Sequence, residues 1–166
     1  LRFLHPDMYV GSIKNIDIQK LKKAGIKALI FDLDNTLVPW NSSELTEETL
    51  AWFKELHKEG FKTCIVSNNN RQRVTKLCNL LEIPGIHKAS KPRRKAFRRA
   101  LRMLQVKPEE TAMVGDQVFT DVLGAKRLGL YTILVVPISK REFIGTRINR
   151  QLEKLVLRRI KHRLIQ

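Results

Sequence analysis

The stretch Ala28-Leu29-Ile30-Phe31-Asp32-Leu33-Asp34-Asn35-Thr36 runs from four apolar residues into two carboxylates, an amide and a hydroxyl. Apolar residues without polar alternation suit a strand covered on both faces of a sheet. The same passage from apolar to polar recurs along the chain. Lys62 to Ser67 leads into Asn68-Asn69-Asn70, the short Gly85 to Ala89 precedes Lys91, Thr111 to Gly115 leads into Asp116, and Tyr131 to Val136 closes the series. Helical patterns fill the intervals, at roughly Thr46 to Glu59, Arg71 to Leu81, Arg93 to Leu104 and Thr120 to Leu128. Gly60 and Gly129 follow two of these helices, and Pro84 closes the connection after a third. Strand and helix in alternation predict a doubly wound, Rossmann-like α/β fold with a parallel sheet of about five strands. No repeat or low-complexity linker interrupts the pattern, so residues 1–166 read as a single domain.

Doubly wound sheets bind ligands beyond the carboxyl ends of their strands. Those positions hold Asp32, Asp34 and Thr36, then Ser67 and Asn68, then Lys91, then Asp116. Residues two apart in extended chain point the same way, so Asp32 and Asp34 can reach one reaction centre. A carboxylate can attack phosphorus and divide a difficult hydrolysis into two easier steps. A second carboxyl can protonate the leaving oxygen and later deprotonate water. On this reading Asp32 is the nucleophile and Asp34 the general acid/base. Two anions facing a phosphate call for a divalent cation, and Mg2+ favours carboxylates together with phosphate oxygens and water. Asp32, Asp116 and the main-chain carbonyl of Asp34 are the expected ligands. Asp121 either holds a metal-bound water or sits as a carboxylate at the positive end of a helix. Ser67, the Asn68 N–H and Lys91 would stabilise the charge that spreads over the phosphoryl oxygens. Pro92 keeps Lys91 in an extended loop.

These four segments, in this order, resemble the motifs of the haloacid dehalogenase superfamily of phosphohydrolases. The resemblance is closer to its YqeG-like, class III phosphatases. It extends from His5-Pro6-Asp7 through Phe31 to Val38, Val66 to Asn70, Gly115-Asp116-Gln117 and Thr120 to Gly124, and on to Phe143-Ile144-Gly145-Thr146-Arg147. The family implies a phosphomonoester hydrolase with Mg2+, with Thr36, Ser67 and Asn68 on the substrate side. It further implies dephosphorylation of phosphatidylglycerophosphate to phosphatidylglycerol. About thirty residues separate Leu37 from Ser67 and about twenty separate Asn70 from Lys91. A helix and a strand already fill each interval. No cap domain fits, so an open, capless site is expected, suited to a headgroup presented by a membrane.

Charge and composition agree with a polyanionic partner. The chain carries 32 Lys and Arg against 16 Asp and Glu, a net +16, which exceeds what solubility requires. A basic amphipathic helix is expected over about 143–165. Its apolar positions are Ile144, Ile148, Leu152, Leu155, Val156, Ile160 and Leu164, set among Arg147, Arg150, Lys154, Arg158, Arg159, Lys161 and Arg163. Such a helix lies on anionic lipid or covers the sheet with its apolar stripe. The N-terminal Phe3, Leu4, Met8, Tyr9 and Val10 could join either surface. A second basic cluster from Lys88 to Arg102 surrounds Lys91. The expected partner is thus a phosphorylated substrate, an anionic phospholipid headgroup first, at a peripheral anionic membrane surface. A nucleic-acid end phosphatase is the alternative, and a non-enzymatic RNA- or ribosome-bound adaptor is a third reading. Few aromatics interleave the basic residues, which weighs against nucleic acid. Nothing implies an obligate protein partner.

No apolar run approaches the ~20 residues that cross a bilayer, and no signal-type segment opens the sequence. Cys64 and Cys78 lack metal-ligand spacing and read as buried, reduced thiols. The expected location is cytoplasmic, with a peripheral place on the inner face of the cell membrane.

Overall fold

A computed structural model describes residues 2–139 and 150–159. Six strands, β1 (Met8–Val10), β2 (Ala28–Phe31), β3 (Lys62–Val66), β4 (Gly85–Ile86), β5 (Thr111–Gly115) and β6 (Tyr131–Val135), form one sheet. Its order is β1-β6-β5-β2-β3-β4. Every pairing is parallel. The helices are α1 (Ile18–Lys23), α2 (Glu47–Lys58), α3 (Arg71–Leu81), α4 (Arg94–Leu104), the short α5 (Leu123–Lys126) and a C-terminal helix, α6, over 150–159.

The strand count and one helix start need adjustment. The sheet has six strands where about five were read, because Met8–Val10 pairs along β6 with Met8 opposite Ile133. Three residues are too short to show a period, so this edge strand is invisible until its partner exists. The helix expected from Thr120 instead begins as a π-helical turn over Val118–Val122 and becomes α-helical only for Leu123–Lys126.

Alternation along the central strands divides the core. Leu29, Phe31, Ile65 and Val114 face α1, α2 and α3, where Leu21, Phe53, Leu56, Val74 and Leu77 cover them. Ile30, Cys64, Val66 and Met113 face the other way, onto Phe97, Ala100, Leu101 and Leu104 of α4 and Ala125 of α5. Successive Cβ atoms of a strand point to opposite faces, so a fully apolar strand demands cover on both. All four residues of β2 are buried. Helix ends are set locally: Thr46 caps α2 by accepting from Thr49 N–H, and Asn70 caps α3 by accepting from Arg73 N–H.

From β2 the chain winds outward to β3 and β4, then returns to place β5 on the opposite side of β2. The crevice at such a reversal opens at the carboxyl ends of the strands. Here it lies over β2 and β5.

Part of the expected C-terminal helix, 143–149 and 160–165, lies outside the described residues. Within 150–159 the inward residues differ from the expected apolar stripe. Glu153 is the buried residue, and Val156 and Leu157 pack beside Val118, Val122 and Leu134. Leu152 and Leu155 face outward, 52% and 60% exposed. The buried glutamate explains this rotation: its carboxylate accepts from the N–H groups of Val118 and Phe119, at 2.7 and 3.3 Å. These open the π-helical turn, and free N–H groups at a helix start need acceptors.

Candidate active site

Asp32 follows directly on β2, and its N–H extends the ladder to Val114 O at 2.9 Å. Its carboxylate therefore stands at the crevice, with Oδ1 2.8 Å from the Lys91 ammonium. That ammonium reaches Asp121 Oδ1 at 2.6 Å on its other side. The Lys91 side chain is 2% exposed and Asp121 1%, so both ions are withdrawn from water. Burial pulls the lysine pKa down, but Asp121 and Asp32 outweigh it and the net shift is upward. Lys91 is held as a permanent cation.

The Lys91 backbone is clasped from both sides. Its N–H donates to Asn68 Oδ1 at 2.7 Å, and its carbonyl accepts from Asn68 Nδ2 at 3.3 Å. The peptide joining it to Pro92 is cis. Asn68 thus acts through its side chain on the Lys91 loop, in addition to the main-chain N–H expected of it. Ser67 is buried, and its Oγ accepts from Asn69 N–H at 3.1 Å. Thr36 donates its hydroxyl to Asp116 Oδ1 at 3.3 Å, which ties it to the acidic cluster.

Asp116 leaves the end of β5 and Asp121 returns to it from the π-helical turn. Asp121 Oδ2 accepts from Gln117 N–H at 3.1 Å. Gly115 permits the return, since a Cβ there would overlap the Asp121 carboxylate. Asp121 thus stands in the first turn of the π-helical segment and inside the cluster at once. Asp32, Asp116 and Asp121, all buried, each offer one oxygen within 4.8 Å of the others.

This crowding has an electrostatic cost. Burial pushes the Asp121 carboxyl up to about 7, with Asp32 adding to the rise and Lys91 opposing it. Asp116 is raised well above the usual carboxylate range, by burial first and then by Asp32 and Asp121, while Arg150 opposes the shift. Three carboxylates against two cations leave an excess of negative charge. All-oxygen, carboxylate-rich donor sets suit hard divalent cations. The cluster fits a metal ion of that kind, with Asp32, Asp116 and Asp121 as its holders.

Asp34 stands apart from this cluster. Asn69 Nδ2 donates to its Oδ2 at 2.8 Å, and Arg73 approaches its Oδ1 through Nε and one terminal nitrogen, at 2.8 and 2.7 Å. Asn35 follows in a left-handed conformation, φ 59°, and its N–H turns back to Val38 O at 2.7 Å. Asn tolerates that conformation better than most residues.

Four contacts here escape sequence reading. Asn69 and Arg73 hold Asp34, while Arg150 pairs with the Asp116 carboxylate and lies 3.0 Å from Glu153. Arg73 did carry a signal. A cation in the first turn of a helix opposes the dipole, which suggests an anion nearby. Glu153 was one of two acids after Pro137 in a basic stretch.

Acids gathered over adjacent parallel strands, with a lysine wedged among them, suit a divalent cation and a phosphoryl group. Comparison with known proteins is more specific. The haloacid dehalogenase-like hydrolase profile matches residues 39–129. Probable phosphatase YqeG of Bacillus subtilis is 45% identical over 98% of this chain and 94% of its own length. The chloroplastic/mitochondrial phosphatidylglycerophosphate phosphatase 1 of Arabidopsis thaliana is 29% identical over 95% of this chain, which spans 48% of that protein. Among solved structures, a haloacid dehalogenase phosphatase of Thermococcus onnurineus superposes with TM-score 0.52 at 28% identity, over 61% of this chain and 51% of its own. The cobalt-bound octulosonate 8-phosphate phosphatase YrbI of Haemophilus influenzae shares the fold, with TM-score 0.56 at 18% identity over 69% of this chain and 70% of its own. The chain belongs to the haloacid dehalogenase-like hydrolases, in their YqeG-like group, and is a phosphatase.

Proposed function

We propose that this phosphatase hydrolyses a phosphomonoester through an aspartyl-phosphate on Asp32, with Mg2+, and that its substrate is phosphatidylglycerophosphate at an anionic membrane. The observation that carries the chemistry is Asp32 at the carboxyl end of β2, paired to a buried Lys91 beside two further carboxylates. An Asp32 oxygen attacks phosphorus as the bond to the leaving oxygen breaks, and the Asp34 carboxyl gives that oxygen its proton. A water then attacks the phosphorus, transfers a proton to Asp34 and frees Asp32 as phosphate departs. Lys91 and the loop of Ser67 and Asn68 supply fixed donors and charge for the phosphoryl oxygens, which need no reorganisation as charge develops. Bound between Asp32, Asp116 and Asp121, with the Asp34 carbonyl as a further ligand, Mg2+ would neutralise the charge between carboxylate and phosphate.

Two features favour a lipid substrate. The Arabidopsis relative carries that activity in its name, over almost the whole of this chain. The outward face of α6 presents Leu152 and Leu155 among the exposed Lys154, Arg158 and Arg159. Apolar residues ringed by bases suit an anionic bilayer surface, where each Lys or Arg contributes about 1 kcal/mol. No helix among the described residues is long and apolar enough to cross a membrane.

The test uses purified protein with Mg2+ and three substrates: vesicles containing phosphatidylglycerophosphate, a phosphorylated oligonucleotide and 4-nitrophenyl phosphate. Phosphate release from the vesicles, absent in Asp32→Asn, is expected. Release from the oligonucleotide alone would replace the lipid reading with a nucleic-acid one.

A further inference from the structure

We propose that Arg73 is a positioning residue for Asp34, fixing the carboxyl that exchanges protons with the leaving oxygen and with water; this rests on the acid/base reading of Asp34 given above. Arg73 sits in the first turn of α3, where its N–H donates to the capping Asn70 at 2.9 Å and pins its backbone. Its side chain, 14% exposed, crosses from the loop after β3 to the loop after β2. Two of its nitrogens converge on Asp34 Oδ1, at 2.8 and 2.7 Å. The remaining terminal nitrogen donates to Ser43 Oγ at 2.9 Å, and one already on Asp34 also reaches Pro39 O at 2.9 Å. Asn69 holds Oδ2 at 2.8 Å.

The two Asp34 oxygens are thereby made unequal. Oδ1 is locked by a planar guanidinium that is donor-only, cannot take a proton, and is itself held by Ser43 and Pro39. Oδ2 has a single amide donor and is the oxygen free to carry the proton. In the first step the Asp32 oxygen bonds to phosphorus, the electron pair of the broken P–O bond passes to the leaving oxygen, and the proton on Oδ2 joins it to give an alcohol. In the second step a water oxygen bonds to phosphorus, the Asp32–P bond breaks, and the water's proton returns to Oδ2. Locking one oxygen keeps the other aimed through both steps, and small misplacements of reacting groups are costly.

The contacts to Pro39 and Ser43 raise a different role, in which Arg73 only staples the loop after β2. The two roles differ in how they depend on the leaving group. An alkoxide needs a proton to depart, whereas 4-nitrophenolate leaves without one. A positioning role through Asp34 therefore slows alkyl phosphates selectively, and a staple slows all substrates alike.

The experiment measures phosphoenzyme formation in single turnovers of the full chain with Mg2+, using glycerol phosphate and 4-nitrophenyl phosphate. Since general acid catalysis supplies ~10²–10⁴-fold, Arg73→Gln should slow the alkyl substrate by ~30-fold and the aryl substrate by less than ~3-fold. Asp34→Asn should show the same selectivity with a larger loss, Arg73→Lys should recover part of the rate, and Ser43→Ala should change neither. Equal slowing of both substrates by Arg73→Gln, with Asp34→Asn still selective, overturns the positioning role. A nonselective Asp34→Asn overturns the acid/base reading and this inference with it. If thermal melting shows that Arg73→Gln does not fold, Arg73→Lys decides: selective slowing supports the proposal and equal slowing refutes it.

Discussion

Lys91 stands 2.8 Å from Asp32, with Asp121 at 2.6 Å on its far side, so the carboxylate proposed to attack phosphorus has a buried cation as its neighbour. Lys91→Met should remove the charge while keeping the volume. A fall in turnover of ~10²–10³ is expected, the usual loss when one fixed stabiliser of transition-state charge is deleted. Metal-free stability should drop by about 3 kcal/mol, the low end for breaking a buried pair, because Asp121 can take up a proton. Steady-state assays and urea unfolding check the two effects separately.

Arg150 puts a positive charge against Asp116. Its guanidinium pairs with the Asp116 carboxylate, so a cation bound there would meet a like charge beside it. Arg150→Ala should bind Mg2+ more tightly, by ~10-fold, as a nearby like charge is removed. The same variant should melt at a lower temperature without metal, because Asp116 loses its partner. Calorimetric titration and thermal melting give the two readings, and weaker binding would reverse the assignment.

Membrane contact through α6 predicts a separation of surface from chemistry. Leu152→Asp with Leu155→Asp changes only outward-facing residues. Co-sedimentation with anionic vesicles should fall and become less dependent on salt concentration, while turnover of 4-nitrophenyl phosphate stays within about twofold. Unchanged vesicle binding would remove α6 from the membrane reading.

The two thiols set an alkaline limit. Burial pushes Cys64 up to about 12, with Cys78 adding to the rise, and burial pushes Cys78 up to about 11. The unfolded chain ionises these thiols first, near 9, so the native state holds more protons between about 9 and 12. Stability should therefore fall as pH rises through that window and be unaffected by these groups below it. Native protein should resist thiol reagents at pH 8. Cys64→Ala, though less stable throughout, should lose less stability between pH 8 and 10.5 in urea melts.

Strand ends were legible in the sequence because a parallel strand buried on both faces must be apolar and must stop where polarity begins. That rule placed Asp32, Ser67, Lys91 and Asp116 along one edge. It could not reveal β1, whose three residues have meaning only against β6. Nor could it orient α6, where the apolar stripe with Leu152 and Leu155 suited a lipid surface or the sheet equally and these two leucines face outward. The hydrogen bonds of Glu153 to two N–H groups outweighed that apolar stripe. Asp34 illustrates the same gap within the site. Its proximity to Asp32 in the chain suggested a shared centre, but its carboxylate is held by Asn69 and Arg73, two residues whose relation to it is made only by folding.

In the proposed reaction Asp32 carries the phosphoryl group. Acid-quenching the enzyme with Mg2+ and 4-nitrophenyl phosphate, whose leaving group needs no proton, within one turnover, digesting it and locating the phosphoryl group by mass spectrometry tests this directly. A phosphoryl group on the peptide containing Asp32, accumulating in Asp34→Asn and absent from Asp32→Asn, is the predicted result. Undiminished turnover in Asp32→Asn, or a phosphoryl group on another residue, would contradict it.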